Sequence, residues 1–219
     1  MDRETILKSI ERDKEIQIIF YENDDMINRL IRFSLEEVLK KYGKLELVDA
    51  VYGCVKELVI NATKANLKRA FFQKNSLDLN NMGQYVMGLT KFKALLESRD
   101  AYKYYAELRN EDLWVMFTLY HDKGGLRIEI LNNTDIIDME ERRIRMKLKK
   151  AMLYDDIALF FQKETDEAEG AGMGIALLVI LMKSVGLDPN LFRIGSKDGM
   201  TDARIEVPFD PKYITKREK

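Results

Sequence analysis

Glu57, Asn61 and Lys64 are spaced i, i+4 and i+7 in a stretch, Lys56 to Asn81, that contains neither Gly nor Pro. That spacing puts the three side chains on one face of a helix. A carboxylate can take a proton, a carboxamide oxygen can ligate a hard cation such as magnesium, and an ammonium can meet a phosphate. More than a hundred residues later, Gly170, Gly172 and Gly174 alternate around Met173 just before an apolar run. Glycines let a backbone approach a phosphate closely, and the N–H groups opening the following helix can then hold the anion. Each stretch alone is also compatible with ordinary structure: a solvated polar stripe in one case, a flexible loop in the other. A dinucleotide site would need a strand before the glycines and an acid after the next strand. The acidic run Thr165 to Gly170 supplies no such strand.

The surrounding pattern indicates the elements that would position these groups. Residues 3 to 13 read as a short amphipathic helix and Glu15 to Tyr21 as a strand. A helix follows over about 25 to 41, with Met26, Leu30, Ile31, Phe33, Leu35, Val38 and Leu39 on its core face and Gly43 at its end. The Glu57 helix runs from about Leu47 to Phe72, with Leu58, Ala62 and Ala65 on its apolar side. Residues 74 to 112 are polar but helical in spacing, an insertion whose tyrosines and phenylalanine either meet a partner or pack on the core. Leu113 to Tyr120 and Leu126 to Leu131 form a hairpin about His121 to Gly125, which places His121, the only histidine, in an exposed turn. Helices over 138 to 153 and 154 to 163 lead to the glycines and to an apolar helix, Ala176 to Val185. Strands near Leu191 to Gly195 and Thr201 to Val207 finish the pattern, turning at Lys197-Asp198-Gly199 and stopping at Pro208.

Composition narrows the function. Acids and bases nearly cancel, 37 against 36, so charge predicts no nucleic-acid partner. One histidine excludes a poly-histidine metal centre. One cysteine, Cys54, excludes an internal disulfide framework, fits a reducing cytoplasm, and reads as buried and inert. Met1 to Lys14 is charged, without a signal-peptide pattern, and the longest apolar run, Ile175 to Met182, is too short to span a bilayer. The basic end, 211–219, reads as a solvated tail.

Taken together and in this order, the two glycine- and asparagine-bearing stretches resemble the GHKL ATPase superfamily of gyrase, heat-shock chaperones, histidine kinases and mismatch-repair proteins. The helix carries Glu57, Asn61, Ala62 and Lys64 in the superfamily's Glu-x-x-x-Asn-Ala-x-Lys spacing, and the glycine box opens a helix. The ending RIGSKDGMTDARIEVP, with Gly199, Thr201 and Pro208, is similar to the close of a histidine-kinase ATPase domain. The upstream strand and helix resemble the layout of anti-sigma-factor serine kinases. No histidine precedes His121, so a self-phosphorylating histidine kinase of the usual arrangement is excluded. The sequence departs from the superfamily where Asp-x-Gly-x-Gly normally binds adenine: here stand Asn132-Asn133-Thr134-Asp135-Ile136. An asparagine oxygen can still accept from an adenine amino group.

The resemblance implies an α+β, two-layer α/β sandwich, its mixed but mostly antiparallel sheet covered on one face by helices. It implies an N-terminal helix over 1–14, an ATPase domain over 15–210 with a helical insertion at about 74–112, and the 211–219 tail. It also implies ATP and Mg2+ as cofactors. Asn61 would ligate the metal and Glu57 would act on the attacking water or hydroxyl. Lys64 and the backbone of Gly170, Gly172, Met173 and Gly174 would hold phosphates, with Asn132, Asn133 and Thr201 at the adenine end. Residues 138 to 170 would form a lid. The expected function is a cytoplasmic Ser/Thr protein kinase or slow ATPase in bacterial signalling, bound to ATP or ADP and to a regulatory protein partner, with a homodimer allowed. The competing readings are a nucleotide-gated, anti-sigma-like binding module without phosphoryl transfer and a degenerate scaffold.

Overall fold

Alternating burial along Ile16, Ile18 and Phe20 shows how the sheet is made: one face of each strand is apolar and the other is not. The computed structural model describes residues 1–98, 100–164 and 173–216. Helix α1 (Arg3–Glu11) leads into β1 (Ile16–Phe20), α2 (Asp25–Lys41), α3 (Val48–Lys74), α4 (Met82–Glu97) and α5 (Tyr105–Asn110). Then come β2 (Val115–His121), β3 (Gly125–Asn132), α6 (Asp138–Ala151), α7 (Ile157–Glu164), α8 (Met173–Ser184), β4 (Phe192–Lys197) and β5 (Met200–Pro208). The strands form one sheet in the order β1-β2-β3-β5-β4, and each described pairing is antiparallel. This is the α+β two-layer sandwich that the resemblance implies.

Local chemistry sets the boundaries. Asp24 accepts from Ile27 N–H at 2.8 Å to open α2, and Gly43, at φ 67°, closes it in the left-handed region. Asp198 and Gly199, at φ 54° and 80°, supply the two left-handed residues of a tight β4–β5 hairpin turn. Strand β2 starts later than its apolar run, because Trp114 N–H donates to the Asn133 side chain at 2.9 Å.

Helices α1, α2, α3 and α8 cover one face of the sheet and bury Leu35, Val55, Phe117, Ile128 and Leu178 with it. The opposite face carries Arg127, Glu129, Arg204 and Glu206. The chain end crosses this face. Lys216 Nζ donates to Glu129 at 2.6 Å, and Tyr213 Oη and Lys216 N–H both donate to Glu206 at 2.9 and 3.0 Å. The start of the basic tail is therefore tied to the sheet rather than free in solvent. A second core joins Phe71 and Phe72 of α3 to Tyr85 and Phe92 of α4 and Leu108 of α5. The insertion thus packs on the far end of α3, although Met82, Val86 and Met87 of α4 and Tyr102 stay exposed. Among the described residues no helix is long and apolar enough to cross a membrane.

Three side chains stand differently from their sequence expectation or sharpen it. Met26 is 62% exposed, because the inward face of α2 follows Ile27, Ile31 and Leu35 instead. Cys54 is buried and its thiol is pushed up to about 12 by burial, as expected of an inert cysteine. His121 is not an exposed turn residue: it is the last residue of β2 and is buried. Its Nδ1 lies 3.0 Å from Tyr42 Oη, while its Nε2 is buried without a partner among the described residues.

Burial pulls the His121 imidazole below its usual 6.5, and the Lys41 ammonium adds to the effect. Below 6.5 the unfolded chain therefore takes up a proton that the folded chain refuses. The stabilisation is complete above that value and is lost as pH falls. Replacing His121 with Phe should flatten the decline in urea midpoint between about pH 7.5 and 5.5. An equal decline in both proteins would show that His121 does not set it.

Candidate functional site

Helix α3 is buried around most of its girth, and its polar stripe is where that coat is missing. Glu57 is half-buried, while Asn61 and Lys64 are exposed. None of the three makes a hydrogen bond or ion pair with another described residue. Helix α8 runs antiparallel beside them. A Cβ on Gly53 would stand 2.9 Å from Leu181, and Cys54 Sγ lies 3.6 Å from the Leu178 carbonyl. A Cβ on Gly174 would overlap Glu57 Oε2 and stand 3.7 Å from Asn61 Nδ2. The start of α8 is thus seated against the carboxylate of α3, at a position where any side chain would force that carboxylate aside. Of the other glycine-box positions, Gly170 and Gly172 lie outside the described residues. Met173 opens α8.

A cavity of about 850 Å³ opens beside this contact, between α3, α4, α6 and the sheet. Asn61, Lys64, Asn132 and Thr201 line it, as does Ile175, next to Gly174. Glu57 is not part of its wall; it lies against Gly174, next to the lining Ile175 and near the lining Asn61. Lys64, Lys68, Lys93, Arg143 and Lys147 outnumber Glu97, Asp135 and Glu140 around it, so the cavity is biased toward an anion. Leu58, Leu89, Phe92, Leu96, Ile130 and Ile144 give it apolar walls. Such a mixture of apolar walls and a few polar groups is usual for small-molecule sites.

At the sheet end the polar groups are buried and bonded to one another. Asn66 Nδ2 donates to the Trp114 carbonyl at 2.9 Å. Its oxygen accepts from Thr134 Oγ1 at 3.1 Å and from Asn132 Nδ2 at 3.2 Å. Asn132 Nδ2 also donates to Thr134 Oγ1 at 2.7 Å, and Thr201 Oγ1 donates to the Thr134 carbonyl at 2.6 Å. Asn133 stands apart. Its oxygen holds Trp114 N–H and its nitrogen donates to the Asp112 carbonyl at 2.6 Å, so it closes the entry to β2 and does not line the cavity.

Two parts of the wall escape sequence reasoning. The first is α4, since nothing local to 82–97 shows that it folds over α3. The second is the charged cluster on α3 and α6. Burial, then repulsion from Arg69 and Arg143, pulls the Lys68 ammonium down, and the touching Glu140 carboxylate opposes that pull. Glu140 also accepts from Tyr85 Oη at 3.2 Å, so one carboxylate ties α6 to both α3 and α4. Asn66 did leave a signal. It continues the i, i+4 row Leu58, Ala62, Asn66 on the apolar side of the helix, where a carboxamide must find partners.

No family model matches the chain. It is similar to an uncharacterized protein of Treponema pallidum (strain Nichols), 29% identical over 220 residues. The match takes in all of this chain but 42% of that protein, so the chain spans less than half the length of its relative. A chain in the crystal structure of the SiaB–SiaC complex from Pseudomonas aeruginosa superposes with a TM-score of 0.45 at 11% identity, covering 95% of this chain and 99% of that one.

Either Lys68→Met or Glu140→Leu should cost about 2 kcal/mol in urea unfolding, less than the loss for a fully buried pair because both side chains keep some exposure. The double variant should recover a good part of the summed loss. Strict additivity of the two single effects would mean that the pair is not coupled.

Proposed function

We propose that the protein binds ATP with Mg2+ and directs phosphoryl transfer to a Ser or Thr hydroxyl of a protein partner, or to water, in bacterial signalling. The observation that carries this reading is the seating of Gly174 against Glu57 beside Asn61. It brings together two stretches more than a hundred residues apart whose chemistry is complementary only when they meet. The residues also suit the group. The cavity has an excess of cations, its exposed Asn61 and Lys64 have no partner among the described residues, and an acceptor lies at its far end.

When bound, ATP with Mg2+ supplies an electrophilic phosphorus and a metal that neutralises its oxygens. The chain's residues do the rest. Glu57 Oε2 takes the proton of the attacking hydroxyl. Asn61 Oδ1 offers one hard oxygen to the metal. Lys64 Nζ balances phosphate charge. Asn132 Oδ1 accepts from the adenine amino group, and Thr201 steadies the Thr134 loop beside it. Apolar walls from α4 and α6 exclude water from the bound base.

A second reading has its own observation. Met82, Val86 and Met87 form an exposed apolar stripe on α4, whose other side lines the cavity. In this reading nucleotide binding changes the seating of α4 and so the grip on a protein partner, without phosphoryl transfer. Turnover separates the two. Glu57→Gln should lower phosphoryl transfer or hydrolysis by about 100-fold or more while calorimetric Mg-ATP binding is retained. Asn61→Ala should lose the magnesium-dependent part of that binding. A Glu57→Gln protein with wild-type turnover would remove Glu57 from the chemistry. A wild-type protein that binds ATP without ever turning it over would favour the gated module.

A further inference from the structure

The Trp114 main-chain carbonyl can only accept a hydrogen bond, and Asn66 Nδ2 is the group that donates to it. That single contact sets the sense of the Asn66 carboxamide, turning its oxygen toward Thr134 and Asn132. Facing an oxygen there, Asn132 must present its nitrogen. Nδ2 gives its hydrogens to Asn66 Oδ1 and to Thr134 Oγ1. The Asn132 oxygen is left without a donor among the described residues and is not one of the fully enclosed unpaired atoms. Asn132 lines the cavity and Asn66 does not. A reversed Asn132 carboxamide would set oxygen against oxygen at Asn66. An aspartate at 132 would do the same, which accounts for an amide rather than a carboxylate at this position.

We infer that Asn66 is a positioning residue that sets the polarity of the base pocket through Asn132, so that the pocket selects a purine carrying a 6-amino group over one carrying a 6-oxo group. The inference rests on the ATP reading above and goes beyond it, since Asn66 is wholly buried and does not line the cavity. A 6-amino group donates to the free Asn132 oxygen. A 6-oxo group would set its own lone pairs against that oxygen and gain no hydrogen bond.

The test is calorimetric titration of the full chain, in the presence of Mg2+, with ATP, with inosine triphosphate and with tripolyphosphate. The wild type should prefer ATP to inosine triphosphate by about tenfold or more. Asn66→Leu frees the Asn132 carboxamide to turn. It should bring that ratio close to one by weakening ATP, with tripolyphosphate affinity unchanged. A purely structural role would weaken both nucleotides equally and leave the ratio where it was. Thr134→Val removes one of the two acceptors holding Asn132 Nδ2, with less change to the core, and should narrow the ratio in part even if Asn66→Leu does not fold. An unchanged ratio in whichever variant folds overturns the inference. So does a wild type that binds both nucleotides equally, while its ATP binding leaves the nucleotide reading intact. A wild type that takes up neither nucleotide nor tripolyphosphate overturns the nucleotide reading, and this inference with it.

Discussion

The rest of the molecule depends on the burial of α3. Its 27 residues rise about 40 Å at helical pitch, long enough to serve two cores in succession. Val51, Val55 and Leu58 enter the core under the sheet, and Leu67, Phe71 and Phe72 enter the core built by α4 and α5. A helix wrapped in this way has no continuous polar face to spare. The few polar groups that remain must either reach solvent or find partners, and α3 does both within ten residues. Asn61 and Lys64 look into the cavity, while Asn66 is sealed behind it. The candidate site is the seam between the two cores, where α3 has left the sheet and α4 has not yet closed over it.

Small residues let that seam exist. Gly53 and Gly174 admit α8 to α3 at distances that a side chain would allow only by displacing Leu181 or Glu57, and Ala62 leaves room in the cavity wall. The same closeness that packs Leu178 and Met182 into the main core therefore fixes where α8 starts, and its start is against Glu57. Packing and chemistry are one constraint here. A side chain at Gly174 would meet the mobile end of Glu57 rather than backbone. Its effect would fall on the position of the carboxylate more than on the stability of the fold.

Much of this was legible where the signal is local. The elements followed from period and stops: the Gly43 stop and the Asp198-Gly199 turn are each local chemistry acting on its neighbours. The Glu57, Asn61, Lys64 stripe was legible for the same reason. What the sequence hid is what distant segments do to one another. His121 reads as a turn residue until Tyr42, 79 positions away, is seen to hold it. Asn132 and Asn133 are indistinguishable as a dipeptide, yet the strand alternation turns one toward α3 and the cavity and leaves the other to the β2 entry. Helix α4 shows no sign in its own residues that Phe92 will meet Phe71. Position in the chain, which served for caps and turns, carries no information about such pairings.

The two ends of the cavity differ in how their polar groups are satisfied, and the difference is physical. At the α3 stripe Asn61 and Lys64 are exposed and can be hydrated, so leaving them unpaired in the protein costs little. At Asn132 the residue is nearly buried and only its oxygen keeps an opening to the cavity, so an acceptor without a donor there carries part of a desolvation cost. A chain under no constraint at that position would lower the cost with an apolar side chain, as it does at Ile130 two residues earlier on the same face of β3. Instead three further side chains, Asn66, Thr134 and Thr201, hold the amide or its loop in one arrangement. That much ordering around one open lone pair is explicable if a donor arrives from the cavity to complete the set.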